Sequence, residues 1–225
     1  MSEDVGLVLR QSNHESWLHA SPWMLALGLG CATQPTQDTG SDASTDPCTA
    51  ATTGHGAPGT EGELVSLFAR VQSGVHSPSL DEVQVDMVAM TSATDGFTTG
   101  PDLTTLDRPG PERRYIVRFN TLVFETPPPA GGTAAILAHE LQHAVDYTEM
   151  DGDELLDFAL RYAEGDIAAY ERETDEVVLE AGCASGLKAY REWLYQQVDA
   201  ETEANKRRDY YTPDEIDAWV ADQGD

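Results

Sequence analysis

The sequence predicts an α+β fold, with a small N-terminal sheet and a mostly helical C-terminal half. Residues 82–90 alternate apolar and polar side chains, and residues 113–125 are rich in the β-branched and aromatic side chains typical of strands. From residue 133 onwards, most segments show the three- and four-residue apolar spacing of helices. Strands early in the chain and helices late favour an α+β fold over alternating βαβ units.

Each predicted element has a local signal. A helix is predicted over residues 61–73, which place their apolar side chains on one face. Residues 113–125 are predicted to form one strand, or two short strands divided at Asn120 and Thr121. The last helix begins at Thr212, because this N-cap residue is followed by a proline and then, at the third helical position, by a glutamate. Further helices are predicted over residues 133–148, 153–163, 166–181 and 187–207, the third with an N-cap at Asp166.

The helix predicted over residues 133–148 contains the motif H-E-x-x-H, from His139 to His143. Positions four apart share one helix face, so both imidazoles can bind one metal ion while Glu140 projects beside it. The helix is apolar on nearly all sides, and burying two histidines and a glutamate is costly unless they have partners. The motif therefore predicts a zinc site in which Glu140 takes a proton from the attacking water.

A catalytic zinc ion needs a third protein ligand, and the order of the histidines restricts its identity. No histidine follows His143, and Glu149 occupies the position at which metzincins carry their third histidine. We therefore expect a carboxylate. Glu171 is the best candidate, because it shares the apolar face of a later helix; Glu173, on a more polar face, and Glu149 remain alternatives.

Asp175 lies one helical turn after Glu171 on the same predicted face. From there it can accept a hydrogen bond from the free ring nitrogen of a ligating histidine, which would fix the tautomer and direction of that ring. Residues 171–175 thus form the pattern E-x-x-x-D downstream of H-E-x-x-H.

These two motifs together resemble the gluzincin metallopeptidases, the thermolysin-like and related families. The resemblance covers about residues 113–183 and implies a zincin-like fold, a single zinc ion bound by His139, His143 and Glu171, and hydrolysis of peptide bonds in a peptide or protein substrate. In zincins an edge strand above the metal helix pairs with extended substrate, and residues 114–125 resemble that strand; an ordinary core strand is the alternative.

Composition divides the chain into three parts. Residues 1–31 end in a short apolar stretch and Cys31, which resembles a bacterial lipoprotein signal with Cys31 as the lipidated residue. Residues 32–60 are rich in Thr, Ser, Gly, Pro and Asp and are predicted to be a disordered linker. Residues 61–225 form the metallopeptidase domain. We expect export to the cell envelope, with or without a membrane tether through a lipidated Cys31; a cytoplasmic protein is the alternative.

If Cys31 carries a lipid, Cys48 and Cys183 remain as a pair. In an oxidising compartment they could form a disulfide between the start of the domain and the region after the Glu171 helix. Two unrelated cysteines, one exposed and one in the core, are the alternative.

The chain is strongly acidic, with 40 Asp and Glu against 13 Lys and Arg and a formal net charge of −27. Such a surface repels phosphate groups, so nucleic acid is excluded as a partner. We expect a monomer. Two other functions remain open: a non-catalytic exported metal-binding surface protein, and a structural acidic lipoprotein in which the motif occurs by chance.

Overall fold

The computed structural model describes residues 46–165 and 167–223. It confirms an α+β fold with a small sheet and a mostly helical C-terminal half. The signal segment with Cys31, residues 32–45 of the predicted linker and the predicted N-cap at Asp166 lie outside the described residues. The elements in chain order are α1 (Pro47–Thr52), α2 (Glu61–Val75), β1 (Gln84–Met90), β2 (Phe97–Pro101), β3 (Arg114–Asn120), α3 (Ala130–Glu149), α4 (Gly152–Ala163), α5 (Ala168–Glu180), α6 (Ala184–Leu194), α7 (Ala200–Asp209) and α8 (Pro213–Asp222).

The sheet has the strand order β1-β3-β2, with β3 in the centre. β3 is parallel to β1 and antiparallel to β2, pairing Val117 with Met87 on one side and with Thr99 on the other. Alternate side chains of β3 enter the core, including Tyr115 and Phe119. The strand β2 is short, contains Gly and Pro, and was not predicted from the sequence.

The strand predicted over residues 113–125 is shorter than expected. It ends at Asn120, whose side chain accepts a hydrogen bond from the Leu122 amide and caps a 3₁₀ helix over Thr121–Phe124. The second short strand predicted in this segment is therefore wrong, because the Asn120 side chain starts a helical turn in place of continued strand pairing.

The helix α3 runs through the core and contacts β2, α1, α2, α5 and α6. Two glycines allow a close approach between α3 and α6: a Cβ atom built on Gly186 of α6 would lie 2.4 Å from the Gly131 carbonyl oxygen of α3. Because no larger residue fits at this crossing, α6 lies directly against the helix that bears the H-E-x-x-H motif.

The folded domain begins earlier than residue 61. Within the stretch predicted to be a disordered linker, α1 is capped by Asp46 and buries Cys48 and Ala51 against the domain. Cys48 forms a disulfide with Cys183, at the N-terminus of α6. The linker prediction is thus wrong for the end of the segment, because two small apolar residues and one covalent bond were enough to attach a short helix.

The helix predicted over residues 187–207 is divided into α6 and α7. The chain leaves the helical path after Leu194, and the Asp199 side chain accepts a hydrogen bond from the Thr202 amide to begin α7. The start of α8 agrees with prediction, since Thr212 and Glu215 form a capping box. Among the described residues, none of the helices is both long and apolar enough to cross a bilayer.

Candidate metal centre

His139 and His143 lie one turn apart on α3, with ring centroids 4.7 Å from each other. Both are buried, as is Glu140 between them in sequence. The neighbouring residues 134–138, 141 and 144 of the helix are apolar and buried, so these three buried polar residues stand out in this core segment. The spacing of the motif thus produces the juxtaposition expected of it.

Glu171, in the first turn of α5, completes the cluster. Its Oε2 atom lies 3.1 Å from His139 Nε2 and 3.2 Å from His143 Nε2. The ligand atoms of these three buried residues all lie within 4.8 Å of one another. By contrast, Glu173 and Glu149 are exposed and lie outside the cluster.

The donor set suits a metal ion. Two imidazoles and a carboxylate are the ligands of many catalytic zinc sites, and bonds of about 2.0–2.2 Å in a tetrahedron place neighbouring ligand atoms roughly 3.4 Å apart. The two nitrogen–oxygen distances to Glu171 Oε2, 3.1 and 3.2 Å, are close to this value. The buried group of His139, His143 and Glu171 can therefore bind a metal ion.

Charge interactions inside the cluster are strong without a metal. Burial would lower the pKa of His139, but hydrogen bonds and charge from Asp175 and Glu171 outweigh it and raise that pKa to about 9. Burial would likewise raise the pKa of Glu171, yet His143 and His139 hold it well below its usual range. The two carboxylates thus require a positive charge between them, which a proton or a metal ion can supply.

The second ring nitrogen of His139 contacts a buried ion pair. Its Nδ1 atom lies 2.9 Å from Asp175 Oδ1. Asp175 also accepts hydrogen bonds from Arg191 Nη2 at 2.8 and 3.1 Å and from the Tyr211 amide at 2.9 Å. Burial raises and the Arg191 charge lowers the pKa of Asp175, with a net lowering. Asp175 therefore occupies the predicted position beside a ligating histidine, held there by an arginine of α6.

The second ring nitrogen of His143 has neutral partners instead. His143 Nδ1 lies 2.9 Å from the Tyr170 hydroxyl and 3.5 Å from Thr174 Oγ1. The Thr174 hydroxyl donates to the Tyr170 carbonyl, which fixes its direction. Both residues belong to α5, which also carries Glu171 and Asp175. One helix therefore supplies the third candidate ligand and the groups that contact the second nitrogen of each imidazole.

Glu140 is held from the sheet. Thr99 Oγ1 on β2 donates a hydrogen bond of 2.8 Å to Glu140 Oε2. Glu140 belongs to neither the ligand cluster nor, among the described residues, any ion pair. Its carboxylate is therefore free to act on a molecule in the adjoining space.

That space is a cleft of about 540 Å³, bordered by Glu140, His143 and Glu171. The strand β2 forms one side of it, and apolar side chains of α4, including Leu155 and Phe158, form another. The cleft is large enough for several residues of a peptide.

Two tyrosines of the cleft have rings beside an imidazole of the cluster: Tyr210, with its centroid 5.8 Å from that of His139, and Tyr147, with its centroid 6.1 Å from that of His143. Burial and the negative charge of Glu171 raise the pKa of Tyr210 well above 10, so its hydroxyl keeps its proton. The Arg191 guanidinium lies 4.4 Å from the centroid of the Tyr210 ring. The seven tyrosines that follow the motif were indistinguishable in the sequence, and packing places the rings of Tyr147, Tyr170 and Tyr210 beside the two imidazoles.

The neighbours of the site that were not identified from the sequence include Thr99, Tyr147, Tyr170, Arg191 and Tyr210. For Arg191 a signal existed, because it lies in the apolar face of α6 together with Leu187 and Leu194. A buried position for a guanidinium indicates a buried carboxylate nearby. Thr99 had no such signal, since the strand that carries it was not recognised.

Comparison with known proteins adds no family to this description. The chain matches no protein-family model, no curated protein sequence and no solved structure.

Proposed function

We propose that this protein is a zinc-dependent metallopeptidase of the gluzincin type, with a zincin-like domain. The observation that carries the proposal is the position of Glu140. This carboxylate belongs to the same helix as His139 and His143, stays outside the ligand cluster and borders the cleft. A carboxylate next to a metal ion and open to substrate is what general-base hydrolysis of an amide requires.

His139, His143 and Glu171 would hold the zinc ion. When bound, zinc supplies a Lewis acid that polarises the scissile carbonyl and makes water more acidic. Glu140 accepts the proton of the attacking water and later passes it to the leaving amine. Tyr210 lines the cleft with its ring beside His139 and keeps its proton, so its hydroxyl is the donor that we assign to the oxygen that becomes negatively charged.

The strand β2 is the best candidate for the substrate strand. We expected this role for residues 114–125, but both edges of β3 are already paired. In contrast, β2 is an edge strand of the described sheet and lines the cleft along its whole length. An extended peptide could pair with its free backbone groups next to Glu140.

The rival function, a non-catalytic metal-binding protein, would use the same ligands with the fourth position closed by the protein. Among the described residues, the cluster contains three ligand residues and borders an open cleft. Structural zinc sites usually have four protein ligands, whereas catalytic sites have three and leave one position open. This favours catalysis.

We further propose that the protein is exported and monomeric, with an acidic surface that does not bind nucleic acid. The Cys48–Cys183 disulfide supports an oxidising compartment. A membrane tether through Cys31 remains a prediction from the sequence.

Two measurements test the proposal. Purified protein should contain zinc and cleave members of a broad peptide library, and Glu140→Gln should keep the zinc and lose about 10³-fold or more of the activity. Absence of cleavage by the zinc-loaded parent would refute the peptidase, and absence of zinc binding would indicate a chance motif.

The ligand assignment has its own matched set of variants. Glu171→Ala should release zinc, because a three-ligand site loses one ligand. Glu173→Ala and Glu149→Ala, which remove exposed carboxylates of the same acidic region, should retain it. Equal zinc retention in all three variants would contradict the assignment.

A further inference from the structure

Thr99 is the hydrogen-bond partner of Glu140 that comes from outside the metal helix. It lies on β2, whose side chains alternate between the two faces of the sheet. Phe97, on the same face, is buried and packs its ring against Tyr190 of α6, with centroids 6.3 Å apart. This contact packs that face of β2 against α6, and Thr99, two residues later on the same face, reaches Glu140 of α3.

The hydrogen bond occupies one of the two carboxylate oxygens of Glu140. Thr99 Oγ1 donates to Oε2 at 2.8 Å, and no other hydrogen bond reaches the Glu140 side chain from the described residues. A buried carboxylate without a cation depends strongly on such a donor. Because the donor occupies Oε2, the other oxygen, Oε1, remains available for the proton that Glu140 must accept.

We propose that Thr99 is a positioning residue, which holds Glu140 Oε2 from the substrate strand and so directs the other oxygen, Oε1, towards the attacking water. The inference rests on the proposed function and extends it, because it assigns a role to a residue that neither binds the metal nor transfers a proton. Thr99 also connects the two parts of the site, since a peptide pairing with β2 would lie next to the residue that orients Glu140.

The decisive variants are Thr99→Val, which keeps the shape and removes the hydroxyl, and Thr99→Ser, which keeps the hydroxyl. Thr99→Val should lower kcat roughly tenfold to a hundredfold, the loss expected for one hydrogen bond to a charged group, with KM changed less than about twofold. Thr99→Ser should restore most of kcat. Thr121→Val, at an exposed position after β3, is the matched control and should behave as the parent.

A second readout does not depend on activity. Thr99→Val should leave zinc affinity unchanged, because Thr99 contacts none of the three ligands, and should lower the unfolding midpoint by a few degrees. In a Glu140→Leu background, which lacks the acceptor, the same change should cost much less. Non-additivity of the two substitutions would thus measure the bond directly.

Additive effects in this cycle, an unchanged kcat in Thr99→Val, or a parallel loss of zinc affinity would each overturn the inference. A parent that cleaves no peptide would refute the proposed function, and the stability cycle would then decide by itself whether Thr99 holds Glu140.

Discussion

The two imidazoles of α3 have opposite surroundings. His139 contacts the carboxylates of Glu171 and Asp175 and, through Asp175, a buried arginine. His143 shares Glu171 but has hydroxyls at its other nitrogen and borders the cleft. The two histidines of one motif can therefore have different environments. Charged groups hold the His139 ring in the core, whereas neutral hydroxyl groups contact the second nitrogen of the His143 ring at the edge of the open cleft.

The largest effect on stability and zinc affinity is expected from removing a charged group near His139. Arg191→Met leaves Asp175 buried without its cation, so we expect a loss of about 3–5 kcal/mol in the free energy of unfolding. Zinc affinity should fall by about 10- to 100-fold, because Asp175 then orients His139 less firmly. Chemical denaturation and a competition titration with a zinc chelator measure the two quantities.

The matched control for Arg191 lies on the same helix. Lys188 forms an ion pair with Asp217, but the side chains are 32% and 58% exposed. Lys188→Met should therefore cost less than about 1 kcal/mol and leave zinc affinity unchanged. A similar cost for both variants would show that the Asp175–Arg191 pair has no special role.

An intermediate effect is expected from removing a neutral hydroxyl next to His143. Tyr170→Phe removes the hydroxyl beside His143 Nδ1, while Thr174 stays in place. We expect zinc affinity to fall by at most about tenfold and stability by about 1 kcal/mol. Tyr211→Phe, whose hydroxyl bonds to exposed Glu176, is the control and should not alter zinc binding. A larger loss of zinc affinity or stability for Tyr170→Phe than for Arg191→Met would contradict the view that charge holds the His139 ring more firmly than hydroxyls hold the His143 ring.

The smallest effect concerns a third buried imidazole, His76, which lies at the end of α2 and contacts the Ala138 carbonyl at 2.8 Å. Among the described residues no carboxylate contacts it, and burial lowers its pKa below 6.5, whereas the pKa of His139 is raised to about 9. The stabilising contribution of His76 is therefore present above pH 6.5 and lost as the pH falls towards its lowered pKa. For His139 in zinc-free protein, the contribution is present below pH 6.5 and lost as the pH rises through about 9.

His76→Gln tests this difference. Its difference in unfolding free energy from the parent, about 1 kcal/mol at neutral pH for one neutral hydrogen bond, should shrink as the pH falls below 6.5. Denaturation of both zinc-free proteins at several pH values measures it. A difference that grows at acidic pH would contradict the assigned direction.

Local pattern was sufficient for the helices with a clear apolar stripe or a cap. The starts of α2 and α8 agree with prediction, and α2 ends two residues later than predicted, because Leu64, Leu67 and the capping box of Thr212 and Glu215 act within one or two turns. The division between α6 and α7 was missed, because an apolar pattern continues through Val198 while the Asp199 cap starts a new helix. One capping residue is a weaker indication of a helix start than a long apolar pattern is of a continuous helix.

In the candidate site, the local pattern was sufficient for the residues that share one face of a helix. The pairing of His139, Glu140 and His143 follows from their positions in one helix, and the sequence favoured Glu171 and Asp175 because one face of α5 had to be buried. Such inferences need only the period of a helix and the cost of burying charge.

What the sequence alone determined is therefore the α+β class and a helix that brings two imidazoles and a glutamate together. The tertiary structure decided which groups surround them: Thr99 is 41 residues from Glu140 in the chain, and Arg191 is 16 from Asp175. A strand of five residues with Gly and Pro has no recognisable period, and it exists because β3 supplies its backbone partners. Local preferences act over a few residues, whereas the orientation of a catalytic group depends on which distant elements pack against it.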